Sequence, residues 1–404
     1  MILQQTIDQV IQEWHDRIST DETGIVREKT IPLGSIASHA TVISGIRRCG
    51  KSTLLAQLYR QLPEPALYIN FEHPLLMDFA MNDYARLDNV IAKYNAQWLL
   101  FDEIQSLPNW EVYVRQKLDN HYKVVITGSN ASLLSRELGT HLTGRHIQME
   151  LFPFSYTEFL KLKSQTASYE SFHEYLFAGG FPEYLKTGDI QQLTTLFQDI
   201  LYRDIIVRYG IKEVSSLQRL ANFLMQNVGN KFSASKIKQA ISVNATNTVL
   251  NWCNYLANSY LFLFVEKYSY SVRSQMVSPK KIYAADTGLA YSLSTHSMTD
   301  EGHLLENLVY IALRNQYPHI CYFEGKGECD FVVVEKGTPS QLLQVCAELN
   351  ADNLHRETTG IEEAMRTFSI HNGLIITENQ TDTIQTDTGT IEVLPFWKWN
   401  MDNQ

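Results

Sequence analysis

Residues 39–59 read HATVISGIRRCGKSTLLAQLY, and this stretch decides the fold of the first half of the chain. A short apolar strand over residues 39–44 is followed by a glycine-containing loop and then by a helical pattern that continues to Tyr59. The loop from Gly45 to Ser52 fits G-x-x-x-x-G-K-[ST], which is the phosphate-binding loop pattern. Strand, loop and helix in this order form the context that the motif needs, so a chance match on an ordinary turn is the weaker reading.

Each residue type in this loop has a physical reason to be there. Gly45 and Gly50 let backbone N–H groups and the helix N-terminus point at phosphates. Lys51 brings a compact positive charge to the β and γ phosphates, and Ser52 offers a hydroxyl to Mg²⁺. The sequence therefore predicts that ATP and Mg²⁺ bind here. The predicted ATP-binding residues are Gly45, Ile46, Arg47, Arg48, Cys49, Gly50, Lys51, Ser52 and Thr53.

A pair of acids follows a second apolar strand, in the sequence QWLLFDEIQ over residues 97–105. Asp102 is predicted to hold Mg²⁺ through water, and Glu103 to orient and deprotonate the attacking water. Paired acids after a strand are common at loop starts. This interpretation therefore depends on the phosphate loop upstream.

Two further strands, residues 66–71 and 122–130, complete a sheet that alternates with helical patterns. The alternation predicts an α/β fold with a doubly wound parallel sheet. In P-loop ATPases with an additional strand, a polar residue at the strand end helps to place the water, which suggests Asn130 or Thr127. The alternative for Asn130 is an N-cap for a helix that begins at Ala131 or Ser132.

Composition excludes several classes of protein. Of the 404 residues, 44% are apolar and 19% charged, as in folded proteins with two or three domains. The apolar runs are too short to span a membrane, and the N-terminus lacks a signal-peptide pattern. The five cysteines form no CxxC pair, which predicts free thiols in a reducing compartment, the cytoplasm. A net charge of −10 argues against a protein that coats nucleic acid along its whole surface.

Several motifs follow one another in a recognisable order: GIRRCGKST, LLFDEIQ, ITGSNASLLS, LTGRHI, LFPFSYTEFL and AGGFPEYL. Together they resemble a prokaryotic STAND-like AAA+ P-loop ATPase family. This family carries a winged helix and a C-terminal restriction-endonuclease-like domain of unknown function. The resemblance implies an AAA+ domain with a helical extension over residues 1–210 and a winged helix-turn-helix over 211–285. A nuclease-like domain would occupy 286–404.

The resemblance also points to an arginine. Arg145, in TGRH, matches the family's arginine after the sensor strand. Such an arginine senses the γ-phosphate or acts as a finger toward a neighbouring copy, which leaves a homo-oligomer open. The alternative is a surface arginine that pairs with an acid. Arg203 and Arg208 are weaker candidates for the same role.

The middle segment has helical periodicity, with helices predicted over 234–240 and 245–258. A strand from Leu261 and a returning segment that begins KKIYAAD predict a two-stranded ribbon after them. Between residues 231 and 283, seven basic residues face one acid, a balance of +6. This charge predicts contacts with duplex DNA phosphates. The residues concerned are Lys236, Lys238, Lys267, Arg273, Lys280 and Lys281. The competing interpretation is a module that packs on the ATPase or docks a protein and reports the nucleotide state.

The C-terminal segment predicts a helix, three strands, a helix and a strand, an order that resembles the restriction-endonuclease-like fold. Glu306 and Asp330 lie where two catalytic carboxylates would be. The third strand should then carry an acid and a lysine, but it reads Gln344-Val345-Cys346. This departure favours a degenerate nuclease fold that has lost its lysine, with Lys326 and Lys336 as the alternative sources of one.

The leading hypothesis is therefore an Mg²⁺-dependent ATP hydrolase that uses hydrolysis to switch conformation, with a coupling to DNA left open. The alternative is a nucleotide-regulated scaffold that binds DNA or protein and hardly turns ATP over.

Overall fold

The computed structural model describes residues 1–20, 24–31, 39–130, 144–294 and 301–402. The chain divides into two compact units, the first comprising residues 1–151 and 258–260 and the second residues 152–257 and 261–404. The predicted boundaries at 210 and 285 both fall inside the second unit, so the three-domain division stays a prediction.

The first unit is an α/β structure around a five-stranded parallel sheet, which confirms the predicted fold class. Its helices are α1 (Gln4–Thr20), α2 (Lys51–Gln61), α3 (Tyr84–Lys93) and α4 (Trp110–Asp119). Its strands are β1 (Ala40–Ser44), β2 (Ala66–Asn70), β3 (Trp98–Asp102), β4 (Lys123–Gly128) and β5 (His146–Glu150). The strand order is β2-β3-β4-β1-β5, so β4 is the additional strand between β1 and β3.

Burial explains why these segments form strands of a parallel sheet. Every residue of β1 and β3 is buried, as expected for parallel strands that are covered on both faces. Apolar residues of α1, α3 and α4 join the strands in one hydrophobic core, among them Ile7, Val10, Leu87, Val90 and Val114. The carboxyl ends of β1, β3 and β4 are thereby held at one edge of the sheet.

The second unit contains thirteen described helices, one of them π-helical, and a nine-stranded mixed sheet. The helices before the sheet are α5 (Tyr156–Lys163), α6 (Tyr169–Ala178), α7 (Pro182–Thr187), α8 (Gln191–Asp199), a π-helix (Ile200–Val207) and α9 (Val214–Gln226). Within the described residues of the chain, no helix combines the length and the apolar character needed to cross a bilayer.

The middle of the chain builds one end of this sheet. It runs β6 (Lys231–Phe232), α10 (Ala234–Ile237), α11 (Thr246–Asn258), β7 (Phe262–Lys267), α12 (Val272–Val277) and β8 (Lys280–Ala284). The two helices and the two-stranded ribbon predicted here are present, although α10 ends three residues earlier than predicted. Strand β6 and helix α12 were not predicted, and β8 pairs in antiparallel fashion with both β6 and β7.

The C-terminal part follows the predicted order of helix, three strands, helix and strand. After α13 (Thr287–Leu293) come α14 (Glu301–Gln316), β9 (Ile320–Glu324), β10 (Glu328–Glu335), β11 (Thr338–Val345), α15 (Leu354–Phe368) and β12 (Asn372–Thr377). The chain closes with β13 (Asp382–Gln385), β14 (Thr390–Pro395) and α16 (Phe396–Asp402). Strand β9 pairs in parallel with β7 through two residue pairs, Glu266 with Cys321 and Lys267 with Tyr322. This short seam joins the two ends of the sheet.

A close backbone contact explains the glycines of the AGGFPEYL motif. A Cβ atom on Gly180 would lie 2.1 Å from the carbonyl oxygen of Phe154. Asp286 accepts a hydrogen bond from the Gly180 N–H at 2.6 Å and caps α13 by accepting from the Leu289 N–H at 2.8 Å. Burial raises the pKa of Asp286 to about 6, although backbone N–H donors act in the opposite direction. The glycines of this motif therefore allow backbone segments of the second unit to pack closely against each other.

Candidate nucleotide-binding site

The phosphate loop joins the end of β1 to the start of α2, as predicted. Gly50 precedes the helix with φ of 102°, a left-handed conformation that side chains rarely adopt. A Cβ atom on Gly45 would lie 2.0 Å from the carbonyl oxygen of Leu151. Both glycines of the motif are therefore required by the backbone path of the loop.

Lys51 curls back over this loop. Its ammonium group donates to the carbonyl oxygens of Gly45 at 3.0 Å and Ile46 at 3.1 Å. It lies 3.9 Å from a carboxylate oxygen of Glu103, and its side chain is only 3% exposed. The positive charge is thus held at the loop, where phosphate oxygens would replace carbonyl oxygens as its partners.

Asp102 is fully buried at the end of β3. Its Oδ2 atom accepts hydrogen bonds from the Tyr68 hydroxyl at 2.7 Å and the Asn70 amide at 2.9 Å, and its Oδ1 atom accepts one from the Thr127 hydroxyl. The Ser52 hydroxyl also hydrogen-bonds to this carboxylate. The predicted Mg²⁺ ligands therefore meet in the fold.

The electrostatics of Asp102 fit a cation at this position. Burial, and then the charge of Glu103, raise the pKa of Asp102, while hydrogen bonds from Thr127, Ser52 and Tyr68 act in the opposite direction. A buried carboxylate beside a serine hydroxyl at a helix N-terminus supplies the hard oxygen ligands that Mg²⁺ prefers. The residues present thus fit the ion.

Glu103 follows at once in a left-handed conformation, with φ of 51°. Its backbone N–H donates to the Thr127 hydroxyl at 2.9 Å, and the Gln105 amide donates to its carboxylate. Thr127 therefore links both acids, since the same hydroxyl donates to Asp102. This arrangement holds the Glu103 side chain beside Lys51, at the sheet edge where the phosphates would lie.

Asn130 is buried directly after β4, at the same edge of the sheet, with 1% exposure. The helix that it was predicted to cap lies outside the described residues. Its neighbour Ser129 was not predicted as a site residue. The Ser129 hydroxyl is buried and has no hydrogen-bond partner within the described part of the chain, so it is a further polar group at this edge.

Arg145 lies at the opposite edge of the sheet. It precedes β5, and its carbonyl oxygen accepts from the N–H of Ala40, the first residue of β1. Its guanidinium group pairs with Asp119 at 2.5 Å. Because the phosphate loop follows the other end of β1, this geometry gives no support for a contact with phosphates in the same chain. A role as a finger toward a neighbouring copy stays a prediction, as does any role of Arg203 or Arg208 in the second unit.

Other side chains of the loop have structural partners. Arg47 pairs with Glu72 at 3.4 Å, and Arg48 has φ of 64°. The Cys49 thiol is buried and donates to the Leu151 carbonyl oxygen at 3.3 Å, and burial raises its pKa. Cys49 is therefore a packing residue of the loop.

Two contacts with the phosphate loop and its strand had no signal in the sequence. The Arg27 guanidinium group donates to the Cys49 carbonyl oxygen at 2.7 Å. The Tyr260 hydroxyl lies 2.7 Å from the Ser44 hydroxyl, and Tyr260 belongs to the first unit together with residues 258 and 259. Neither residue sits in a motif or a periodic segment, so only the fold reveals them.

The six basic residues predicted to contact DNA are not all exposed, and some of them form ion pairs with acids. Lys280 pairs with Glu266 at 2.6 Å, and Lys267 with Glu324 at 3.3 Å. Lys281 is buried, with 2% exposure, so its predicted contact with duplex DNA is wrong. Lys236 and Arg273 are exposed and Lys238 is half-buried, and these three keep the predicted role as a hypothesis.

The expectation that Glu306 and Asp330 have lost their lysine is also wrong. The Lys281 ammonium group lies 2.8 Å from Glu306 and 2.7 Å from Asp330. The lysine beside these two carboxylates is therefore Lys281 on β8. It is neither Lys326 nor Lys336. Charge counting along the sequence could not reveal this, because the three residues meet only through strand pairing.

The strand, glycine loop and acids, placed on a parallel sheet with an additional strand, define the class of P-loop nucleotide-binding ATPase folds. A family profile described as "AAA domain" matches residues 37–160, and one described as "Domain of unknown function (DUF8612)" matches residues 169–300.

The chain belongs to the same family as the uncharacterized protein MJ1544 of Methanocaldococcus jannaschii. The two are 30% identical over 418 residues, covering 96% of this chain and 93% of that protein. An uncharacterized protein of Haemophilus influenzae is 30% identical over 383 residues, covering 89% of this chain and 93% of that protein.

Among solved structures, AMPPCP-bound DnaA from Aquifex aeolicus is similar with 14% identity and a TM-score of 0.26. The similarity covers 64% of this chain and 89% of that one. A TM-score this low supports no argument about function.

Proposed function

We propose that this chain is an Mg²⁺-dependent ATPase of the AAA+/STAND type, in which hydrolysis drives a conformational switch. The observation that carries the proposal is the convergence of Lys51, Ser52, Asp102 and Glu103 at one edge of the parallel sheet. A phosphate loop alone would support nucleotide binding, whereas the two acids beside it add the groups that hydrolysis needs.

Ser52 and Asp102 would hold the Mg²⁺ ion, which neutralises phosphate charge when bound. Lys51 would exchange its two carbonyl partners for oxygens of the β and γ phosphates. Its charge then favours the electron-rich transition state over the ground state.

Glu103 would orient the attacking water and accept its proton. Its backbone is anchored by Thr127 and its carboxylate by Gln105, which keeps the base in one place. Asn130 or Ser129, at the end of the neighbouring strand, would provide a second hydrogen bond to this water.

The experiment is an ATP turnover and binding assay on three variants. Lys51→Ala should lose both turnover and tight binding, while Glu103→Gln should bind ATP and stop turning it over. Glu64→Gln is the matched control, because Glu64 pairs with Lys123 at 2.5 Å, at the start of β4 and away from the loop. Undiminished hydrolysis by Glu103→Gln would rule out the role of this base.

The switch would act through residues 258–260, since Tyr260 contacts the strand that leads into the phosphate loop. Particle size and shape measured with ADP and with a non-hydrolysable ATP analogue would test it. A larger particle with the analogue would support a homo-oligomer in which Arg145 acts on a neighbouring copy. The five free cysteines fit a cytoplasmic location.

A second candidate is a nucleotide-regulated scaffold that binds DNA. From α9 to β8 the order is helix, strand, two helices, and two strands joined by the short helix α12, which resembles a winged helix. Helix α10 carries the exposed Lys236. Stimulation of ATP turnover by duplex DNA would favour this coupling. Persistent nucleotide binding without turnover would favour the scaffold alone.

A further inference from the structure

One glutamine of α2 binds the chain segment over residues 24–31. The Gln57 amide donates to the Ile25 carbonyl oxygen at 2.7 Å, and the Gln57 side-chain oxygen accepts from the Arg27 N–H at 3.4 Å. The buried Gln57 side chain thus pairs with this segment as the backbone of a neighbouring strand would. This pairing holds Arg27 beside the phosphate loop.

The Arg27 side chain is buried against that loop. Its Nη1 atom donates to the Cys49 carbonyl oxygen at 2.7 Å. The same nitrogen lies 3.1 Å from the position that a Cβ atom on Gly50 would take. The guanidinium group therefore fills the space beside Gly50 where a side chain would otherwise lie.

The bonded carbonyl group belongs to the peptide unit that joins Cys49 to Gly50. In a planar trans peptide the C=O and the N–H point in opposite directions. By holding the Cys49 oxygen, Arg27 also fixes the direction of the Gly50 N–H, which points away from the guanidinium group. Backbone N–H groups of a phosphate loop are the donors that bind phosphate oxygens, so this direction matters for binding.

This peptide unit needs to be held because it precedes a glycine. Gly50 has φ of 102°, and glycine populates positive and negative φ about equally well. The peptide unit before it would rotate readily if nothing bound its carbonyl group. A rotated peptide would turn an oxygen toward the phosphates in place of an N–H, and the oxygen would repel them.

Lys51 binds other carbonyl groups of the loop, those of Gly45 and Ile46, at 3.0 and 3.1 Å. In the proposed function Lys51 exchanges these oxygens for phosphate oxygens, whereas Arg27 keeps the Cys49 oxygen. Both cations lie close to the loop interior. Burial raises the pKa of the Cys49 thiol, and the positive charges of Lys51 and Arg27 act in the opposite direction.

We propose that Arg27 is a positioning residue for nucleotide binding, which holds the peptide between Cys49 and Gly50 so that the Gly50 N–H faces the phosphates. The inference rests on the proposed ATP site and adds a residue from outside its motifs. The Arg27 contact is the same before and during hydrolysis. Its loss should therefore weaken binding and leave the chemical step nearly unchanged.

The test measures the Kd of the full chain for ATP and for ADP with Mg²⁺ by calorimetry, and turnover at saturating ATP. Arg27→Gln should raise both Kd values by about 10-fold or more, as expected when a group that orients a binding group is lost. Turnover at saturating ATP should change by less than about 2-fold. Glu103→Gln should show the opposite pattern, with binding kept and turnover lost.

Gln57→Leu is the second variant, and thermal melting shows which variants fold. It releases the segment that carries Arg27, so it should raise both Kd values as well. The double variant with Arg27→Gln should bind no more weakly than Arg27→Gln alone, because both changes break one contact. Gln57→Leu alone decides the question if Arg27→Gln does not fold.

Arg60→Gln is the matched control. The Arg60 Nε atom donates to the Ile18 carbonyl oxygen at 2.7 Å and so joins the last turn of α2 to α1. The change removes the same kind of bond from α2, but away from the phosphate loop. It should lower the melting temperature and leave both Kd values unchanged, which is also the result that a purely structural role of Arg27 would give.

Two results overturn the inference while the ATP site stands: an unchanged Kd in folded Arg27→Gln, or an equal rise of the Kd in Arg60→Gln. If the unaltered protein binds no ATP, the proposed function and this inference fail together. Measuring the unaltered protein first therefore distinguishes the two failures.

Discussion

The hydroxyl of Tyr260 lies 2.7 Å from the hydroxyl of Ser44, the last residue of β1 before the phosphate loop. Both side chains are buried, and Tyr260 adopts a left-handed backbone conformation with φ of 60°. The Gln148 amide also donates to the Ser44 hydroxyl, at 3.3 Å. Ser44 is thus held from two sides at the point where the loop begins.

Tyr260→Phe should lower the free energy of unfolding of the first unit by about 1 kcal/mol, because it removes the hydrogen bond to Ser44. Ser44→Ala should have a similar effect. The double variant should be little worse than either single one, with a coupling energy of about 1 kcal/mol in urea denaturation. Fully additive effects would mean that the two hydroxyls do not interact in solution.

Thr127→Val should reduce ATP turnover by about 10-fold to 100-fold. Valine keeps the shape of threonine but removes the hydroxyl that donates to Asp102 and accepts from the Glu103 N–H. Thr127→Ser is the matched control, since serine keeps this hydroxyl and should retain most of the activity. The steady-state rate of ATP hydrolysis of the two variants is compared. Equal rates for Thr127→Val and Thr127→Ser would contradict the linking role of Thr127.

Gly180→Ala should destabilise the second unit by about 2–4 kcal/mol, because its Cβ would meet the backbone of Phe154, which cannot move aside cheaply. Gly188→Ala is the comparison, with φ of 71° but open space around its Cβ. It should cost only about 1 kcal/mol from backbone strain. Thermal or urea unfolding measures both, and equal losses would argue against the close contact.

Asp286→Asn should change the pH dependence of stability. The folded-state pKa of Asp286 is about 6, raised by burial from 3.8, so the folded protein keeps a proton that the unfolded chain releases. Stability from this group is present below pH 4 and is lost as pH rises to about 6, by about 3 kcal/mol. The unaltered protein should therefore lose stability relative to Asp286→Asn across this window, and the difference should be flat above it. A constant difference from pH 4 to 6.5 would show that the pKa is not raised.

Changing Lys236, Lys238 and Arg273 together to alanine should weaken duplex DNA binding and reduce its salt slope by about 2 to 3. Lys267→Ala with Lys280→Ala should leave the slope unchanged, because Glu324 and Glu266 already neutralise these lysines. Fluorescence anisotropy at several salt concentrations measures both. A flat salt response of the unaltered protein would remove DNA from the list of partners.

The residues of the proposed nucleotide site could be picked out from the sequence because their chemistry is local. Gly45, Gly50, Lys51 and Ser52 lie within one loop, and Asp102 ends an apolar strand whose place in a parallel sheet follows from alternation. The sequence suggested Asn130 or Thr127 for placing the water, and that role stays a prediction. The fold shows in addition that the Thr127 hydroxyl ties the two acids together.

Long-range pairing accounts for the predictions about Lys281 that failed, and strand direction bears on the Arg145 prediction, which stays open. The charge of Lys281 was counted with its neighbours, whereas its partners Glu306 and Asp330 lie 25 and 49 residues further along the chain. Arg145 follows a motif typical of a phosphate contact, but strand direction places it at the far edge of the sheet. Sequence order shows which residues are adjacent in the chain and does not show which edge of a sheet they reach.

The seam between β7 and β9 has a mechanical consequence. Lys281 lies on β8, on one side of this seam, and Asp330 lies on β10, on the other. Only two registered residue pairs join the two halves, so the seam is a narrow link within the sheet. A force that pulls on the β6–β8 segment therefore loads these few backbone hydrogen bonds and the side-chain ion pairs that cross the seam, such as Lys281–Asp330. A small displacement of β7 relative to β9 would move the Lys281 ammonium group away from Glu306 and Asp330. The distances in these ion pairs would therefore change with the strain on the sheet.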